Sequence, residues 1–352
     1  MLDFKTEFVI VIVLCFISSL LLTPLAKKFA VAVGATDAPN SRKIHNKIMP
    51  RLGGLAIFIS FSIGIIIMQP AGDDTWPIMI GALIIVLTGA LDDRFQLSPS
   101  KKLFGQLIAA FIVIKWGGVQ VEYINLPFGG IIEFGYFSFP LTLIWIIGIT
   151  NAINLIDGLD GLAAGVSTIA IFTISGMAII MGDSYVAIFG FILVASILGF
   201  LFYNFHPAKI FMGDTGALFL GFMISVLALL GFKNITVISF VIPILILGVP
   251  ISDTFFAIVR RLLNKQPISA PDKSHLHHCL LNSGFTHRET VIIIYGIATW
   301  FSLSAFIFSQ STLWGGILVI AVVLLSLEII VESIGLLGEN YRPILNLVRE
   351  KK

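Results

Sequence analysis

The chain has 352 residues, of which 57% are hydrophobic and only 12% charged, and its mean hydropathy is +1.00. A soluble domain carries roughly a quarter charged residues, so this composition excludes an ordinary water-soluble globule and points to lipid as the partner of the excess apolar surface. The formal net charge of +2 offers no field for nucleic acid, and no such partner is expected.

At the N-terminus, Asp3 and Glu7 flank a lone Lys5 where a secretory leader would be basic, and no small-residue cleavage site follows. No cleaved signal peptide is therefore expected. A bilayer core needs ~20 apolar residues per helix. Candidate stretches run over 8–26, 53–69, 77–91, 103–118, 140–154, 162–181, 185–204, 216–232, 236–259, 290–309 and 314–336. The expectation is an all-α polytopic membrane protein of about eleven transmembrane helices. With loops alternating between sides, all of the 22 Lys and Arg except Lys5, Lys115 and Lys233 fall on one side. That bias predicts an N-out, C-in orientation with the charged loops in the cytoplasm. Residues 119–140 alternate apolar and polar around Pro127-Phe128-Gly129-Gly130, which predicts a short external β-hairpin. No repeat or soluble domain is visible. Residues 1–352 read as one integral-membrane domain whose longest inner loop is 260–289. Cys15 lies in an apolar run and Cys279 in a polar segment, so no disulfide is expected.

The polar clusters all fall on the inner side. Charged groups at helix ends are costly unless they reach water or serve a site; one such loop is a solvated turn, but five on one face suggest a shared site. The first runs from Asp37 to Gly54 and carries Asn40, Arg42, Lys43, His45, Lys47 and Arg51. Its bases suit phosphate, and its Gly53-Gly54 pair suits close backbone approach; contact with anionic lipid is the plainer alternative. The second is Asp92-Asp93-Arg94, where adjacent carboxylates repel and resist desolvation unless a metal or a base role explains them. The third, Asn151-x-x-Asn154-x-x-Asp157-Gly158-x-Asp160-Gly161, has two Asp-Gly steps that predict a turn presenting both carboxylates. The fourth runs from Asn204 through His206, Lys209 and Phe211 to Gly213-Asp214-Thr215-Gly216. Asp214 is either a helix cap or, with glycine on both sides, a group that a ligand approaches closely. The fifth is Asp272-Lys273-Ser274-His275-Leu276-His277-His278. It lacks the Cys or Glu to complete a zinc site and better suits a diphosphate beside Arg260 and Arg261. Hard oxygen donors with phosphate-suited bases point to Mg²⁺ or Mn²⁺ and a phosphorylated substrate, where catalysis is mostly positioning and charge neutralisation.

In this order the clusters resemble the polyprenyl-phosphate N-acetylhexosamine-1-phosphate transferases. The motifs that carry the likeness are Asp92-Asp93, the Asn151–Gly161 run, Phe211-Met212-Gly213-Asp214-x-Gly216 and His275-Leu276-His277-His278. The His-Leu-His-His pattern is similar to the branch using UDP-GlcNAc rather than the MurNAc-pentapeptide branch. The run from Ala152 to Leu162, with that from Tyr203 to Phe211, looks most like the Gram-positive enzymes that start teichoic acid synthesis.

The resemblance implies transfer of GlcNAc-1-phosphate from UDP-GlcNAc to undecaprenyl phosphate in the plasma membrane, and it admits a homodimer. It implies that Asp214 is the Mg²⁺ ligand and that Asp93, with Asp92, deprotonates or orients the lipid phosphate. Asn154, Asp157, Asp160 and Asn204 would line the nucleotide side, and Phe211 would stack on uracil. His275, His277 and His278 would hold the sugar-diphosphate, and Lys47 would contact phosphate. Direct attack by the lipid phosphate is preferred over an acyl-phosphate on Asp214, because a metal-bound carboxylate is a poor nucleophile; both routes stay open. A transporter would place its ionisable groups near mid-membrane on broken helices. An intramembrane aspartyl protease would need glycine where Phe211 stands.

Overall fold

A computed structural model describes residues 4–37, 48–125, 130–232, 237–267, 272, 274–338 and 341–349. Helix α1 (Phe4–Val33) leads to a two-residue antiparallel pair, β1 (Thr36–Asp37) with β2 (Met49–Pro50), then to α2 (Gly53–Met68), α3 (Thr75–Phe95) and α4 (Pro99–Lys115). A hairpin of β3 (Tyr123–Asn125) and β4 (Ile131–Glu133) precedes α5 (Ser138–Ile156), α6 (Leu162–Ile180), α7 (Ser184–Asn204) and α8 (Gly213–Phe232). The rest comprises α9 (Val237–Ile246), α10 (Gly248–Leu263), α11 (Leu276–Asn282), α12 (His287–Gln310), α13 (Leu313–Ile334) and α14 (Pro343–Arg349).

Eight of the described helices are long and apolar enough to cross a bilayer: α1, α3, α5, α6, α7, α8, α12 and α13. The other three expected stretches differ. Helices α2 and α4 have 16 and 17 residues. The stretch expected as one span over 236–259 is broken at Leu247 into α9 and α10. Pro243 and Pro250 flank that break, and neither has an N–H to continue an i→i−4 ladder. The hairpin is present but shorter than 119–140: Tyr123 faces Glu133 and Asn125 faces Ile131, while residues 138–140 already belong to α5. The proposed turn at 127–129 lies outside the described residues.

Helix α8 is the axis of the bundle. Its sequence is apolar on every side, the pattern of a helix buried all round; 94% of its spanning window is buried, against 22% for α1 and 17% for α13. It packs against α2, α3, α5, α6, α7 and α9. Backbone meets backbone at its N-terminal end. The Gly53 N–H donates to Phe211 O at 3.1 Å, the Gly54 N–H to Met212 O at 2.9 Å and the Phe211 N–H to Pro50 O at 2.8 Å. A side chain on Gly54 would collide with the Gly216 backbone, and one on Gly89 with Asp214 and Thr215. The Gly53-Gly54 pair therefore serves helix contact rather than the close approach to phosphate expected of it, and the same holds for Gly216, which faces Gly54 and Met212.

A methyl at such a contact is expected to act as overpacking, which costs about 1–3 kcal/mol. Gly54→Ala is thus expected to lower the unfolding midpoint in detergent, while Gly296→Ala, whose added carbon meets open space, leaves it unchanged. Equal midpoints for the two variants would show that α2 and α8 are not held this close.

Candidate active site

Among the described residues, parts of all five polar clusters meet at one end of the bundle, around the last turns of α3, α5 and α7 and the first turns of α2, α4, α6, α8 and α12. Asp93, 4% exposed, ends α3 facing the start of α8. Its Oδ1 accepts from the Asp214 N–H at 3.0 Å, and its Oδ2 from the Thr215 N–H at 3.0 Å and the Thr215 hydroxyl at 2.6 Å. A helix begins with unpaired N–H groups and a partial positive charge; here a carboxylate from another helix satisfies both. Asp214 is therefore not the cap. Its own side chain is left to face Lys102, whose Nζ lies 2.7 Å from Asp214 Oδ2 and 3.3 Å from Asp92 Oδ2.

Arg51 Nε lies 3.9 Å from Asp93 Oδ1. Burial alone would lower its guanidinium, but Asp93, Asp37, Asp214 and Asp157 around it raise it above its ordinary value. Asp157 follows the last turn of α5. Burial pushes its carboxyl up to about 7, with Asp214 adding to the rise and Arg51 opposing it. Asn154 stands half-buried one turn earlier.

Asp160 and Asn204 hold loops together. Asp160 Oδ2 lies 2.8 Å from His206 Nδ1 and accepts from the Ala208 N–H at 3.0 Å. Asn204 accepts from the Gly161 N–H at 3.1 Å and donates to Ile210 O at 3.0 Å. The Tyr295 hydroxyl donates to Gly161 O at 2.5 Å, fastening the same turn to α12. Asn151 is drawn away from the site: its Nδ2 donates to Gln106 Oε1 at 2.7 Å, tying α5 to α4. Phe211 is half-buried and paired through its backbone to β2 and α2.

The histidine motif joins this end at Gly158, where an added Cβ would press into the His277 imidazole. Burial, and next the charge of His278, hold His277 down at about 3, so it is a neutral hydrogen-bonding ring at neutral pH. The rings of His277 and His278 lie 4.2 Å apart, and those of His275 and His277 lie parallel at 6.0 Å. His275 Nδ1 sits 2.8 Å from Asp253 Oδ2, and Asp253 Oδ1 accepts from the Leu276 N–H at 2.8 Å. Lys47 lies outside the described residues, as do Asn40, Arg42, Lys43 and His45; β1 and β2 bracket that segment.

Two donor sets could take a metal. Asp92 and Asp214 offer only oxygen and converge on the point that Lys102 occupies, which fits a hard divalent ion such as Mg²⁺ or Mn²⁺. Asp160, His206 and His287 bring a carboxylate and two imidazoles within 4.8 Å of one another, a set suited to a softer ion.

Sequence reasoning missed Lys102 and Asp253. Lys102 was read only as one of many inner-side positive charges. Asp253 sits inside the apolar stretch 236–259, and an acid there was itself a signal.

A polytopic bundle whose acids, amides and imidazoles gather at one membrane end is the build of an enzyme acting on a membrane-bound substrate. Residues 75–232 match glycosyl transferase family 4, and the chain belongs to that family. It is 50% identical over 344 residues to the probable undecaprenyl-phosphate N-acetylglucosaminyl 1-phosphate transferase of Bacillus subtilis (strain 168), covering 96% of each chain. It is also 33% identical to the decaprenyl-phosphate N-acetylglucosaminephosphotransferase of Mycolicibacterium smegmatis, over 81% of this chain and 77% of that one. The undecaprenyl-phosphate alpha-N-acetylglucosaminyl 1-phosphate transferase of Escherichia coli (strain K12) is 31% identical, over 76% and 75%.

Two outcomes follow from this geometry. Folded Asp157 holds a proton more readily than the unfolded chain, whose ordinary value is 3.8. Its contribution to stability is therefore full below that value and lost as pH rises through about 7. Without divalent ions, thermal unfolding of Asp157→Asn is expected to lack this part of the decline between pH 5 and 8; an unchanged slope would remove Asp157 as its source. Asp253→Asn weakens one charge-assisted hydrogen bond, worth about 1.5–3 kcal/mol, to the imidazole of His275. Turnover is expected to fall roughly ten- to hundredfold, with Asp253→Glu recovering part of it; full activity in Asp253→Asn would exclude the pairing from the reaction.

Proposed function

We propose that the chain transfers GlcNAc-1-phosphate from UDP-GlcNAc to undecaprenyl phosphate, giving undecaprenyl-diphospho-GlcNAc and UMP. The convergence of Asp92 and Asp214 on a single cation position, beside the Asp157 turn and the imidazoles, carries this reading. The likeness to the Bacillus subtilis transferase supports the donor and the acceptor. In this reading the chain crosses the membrane eleven times as one domain, N-terminus out and C-terminus in. The site then opens to the cytoplasm at the plasma membrane, where UDP-GlcNAc is found, and the product feeds a cell-wall glycopolymer of the teichoic acid type.

A phosphate oxygen of the lipid attacks the β-phosphorus of the donor. The bond from that phosphorus to the bridging oxygen breaks, and UMP leaves with the electron pair. Asp214 would hold Mg²⁺, with Mn²⁺ as an alternative, which would neutralise the diphosphate charge. Asp92 orients the lipid phosphate or takes its proton. Asp93, with both oxygens engaged by α8, positions Asp214. Asn154 and Asp157 line the nucleotide side; Asp160 and Asn204 shape it by holding its loops, and Phe211 offers a ring to uracil. His275, His277 and His278 bind the sugar-diphosphate through hydrogen bonds, and Lys47 adds a charge to phosphate.

The test uses purified protein, undecaprenyl phosphate and radiolabelled UDP-GlcNAc. Label is expected to enter lipid with Mg²⁺ and not after chelation, and Asp214→Asn is expected to abolish transfer while the protein still inserts and folds. Near-normal turnover in that variant would refute the metal assignment; absence of labelled lipid in the native protein would refute the function.

A further inference from the structure

The acids at the end of α3 and the start of α8 already hold a cation. Lys102, in the first turn of α4, donates from Nζ to Asp214 Oδ2 at 2.7 Å and to Asp92 Oδ2 at 3.3 Å. Its side chain is only 24% exposed, and those of Asp92 and Asp214 are 11% and 15% exposed, so water screens the pairs weakly. Asp93 offers the ammonium no alternative, because its oxygens accept from Asp214 and Thr215. Arg51 is directed at Asp93 instead.

The oxygens that Lys102 engages are the ones a divalent ion at this place would use. Mg²⁺ demands oxygens at about 2.0–2.1 Å in near-octahedral array, and a compact ammonium between the same two oxygens occupies that volume. The two cations cannot share the seat. A lysine suits such a part, since its charge rides on a flexible four-carbon stem and stays near when displaced.

We propose that Lys102 is a built-in counter-ion of the metal seat. It offsets one unit of the negative charge that Asp92 and Asp214 share in the metal-free protein, gives way to the divalent ion, and then presents its freed ammonium to a phosphate of the bound substrates. This rests on the reading of Asp214 as a metal ligand. It makes metal entry the event that creates positive charge: before entry the ammonium is spent on the carboxylates, and afterwards both it and the ion face the diphosphate. Lys102 is in this sense a positioning residue for the metal and a phosphate contact in the loaded site.

Two measurements test it. Mn²⁺ binding to the purified protein, followed by the electron paramagnetic resonance of the free ion, is expected to be about tenfold or more tighter in Lys102→Gln than in the native chain, the size of one charge-assisted hydrogen bond. Reductive methylation of the native protein, read by mass spectrometry at Lys102, is expected to rise when Mg²⁺ is added, because the displaced amine becomes accessible. Methylation unchanged or reduced by saturating Mg²⁺ overturns the displacement, whether or not the variant folds. So does Mn²⁺ affinity in Lys102→Gln equal to or weaker than native. Native-like Mn²⁺ affinity in Asp214→Asn would instead overturn the metal reading on which the inference rests.

Discussion

The site depends on one buried interaction, the Asp93 carboxylate set against the first turn of α8. That helix runs through the middle of the bundle, and Gly213 and Thr215 at its start are buried. A buried polar group without a partner costs about 1–3 kcal/mol, and here two N–H groups and a hydroxyl take one carboxylate. The contact also fixes a direction. With its backbone held by Asp93, Asp214 turns its side chain toward Lys102 and Asp92 rather than back onto its own helix. The glycines around the junction serve the same end. Gly54 and Gly89 let α2 and α3 reach the α8 backbone, and only at that separation does Asp93 arrive within hydrogen-bond distance.

The polar residues near this end divide into two kinds of work. Asp93, Asn204 and Asn151 use their polar atoms on protein partners, and so does Asp160 with one oxygen. They fix where the loops run. Asp157, the Asp92–Asp214 pair and the imidazoles of His277 and His278 are the groups those loops present. Asp253 works at one remove, holding His275 and the start of α11 together. A motif read as a row of ligand contacts is therefore in good part scaffold, which is reasonable in a site made of five loops. Each loop must be pinned to its neighbours before any side chain can be placed to within a fraction of an ångström.

The sequence carried the bundle and the gathering of the five clusters because both rest on strong, local signals: long apolar runs, and polar residues too costly to leave at membrane boundaries without a purpose. It carried the hairpin from alternation around a Pro-Gly turn. It did not distinguish scaffold from site. Asp92 and Asp93 are adjacent and alike, yet one faces Lys102 and the other caps a helix lying 121 residues further along the chain. Which way each points depends on the crossing of α3 and α8, a tertiary fact with no local pattern. The break at Leu247 was obscured for the opposite reason. A largely apolar stretch on both sides hid two prolines whose effect on the ladder is local. Lys102 was lost in a general rule, since a lysine on the positive side of a membrane protein ordinarily needs no further account.

A site rich in acids is at first an odd place to bind a diphosphate. Asp92, Asp93, Asp157 and Asp214 lie close enough to perturb one another, and among the described residues the cations in contact with them are Arg51 and Lys102. Arg51 lies with its Nε 3.9 Å from Asp93 Oδ1, and His277 is held neutral by its burial. Two like unit charges 4 Å apart repel by about 4 kcal/mol at the intermediate dielectric of such a boundary, so an anionic substrate meets an unfavourable field in the metal-free protein. Lys102 balances part of the charge of Asp92 and Asp214, and on the proposed reading the remainder is balanced by an ion that arrives with the substrate. An all-oxygen pair that reaches one point fits a hard divalent ion, and the partial protonation of Asp157 near neutral pH lowers the repulsion further. On the proposed reading, the acid-rich end would disfavour bare phosphates and favour those that come with a divalent cation.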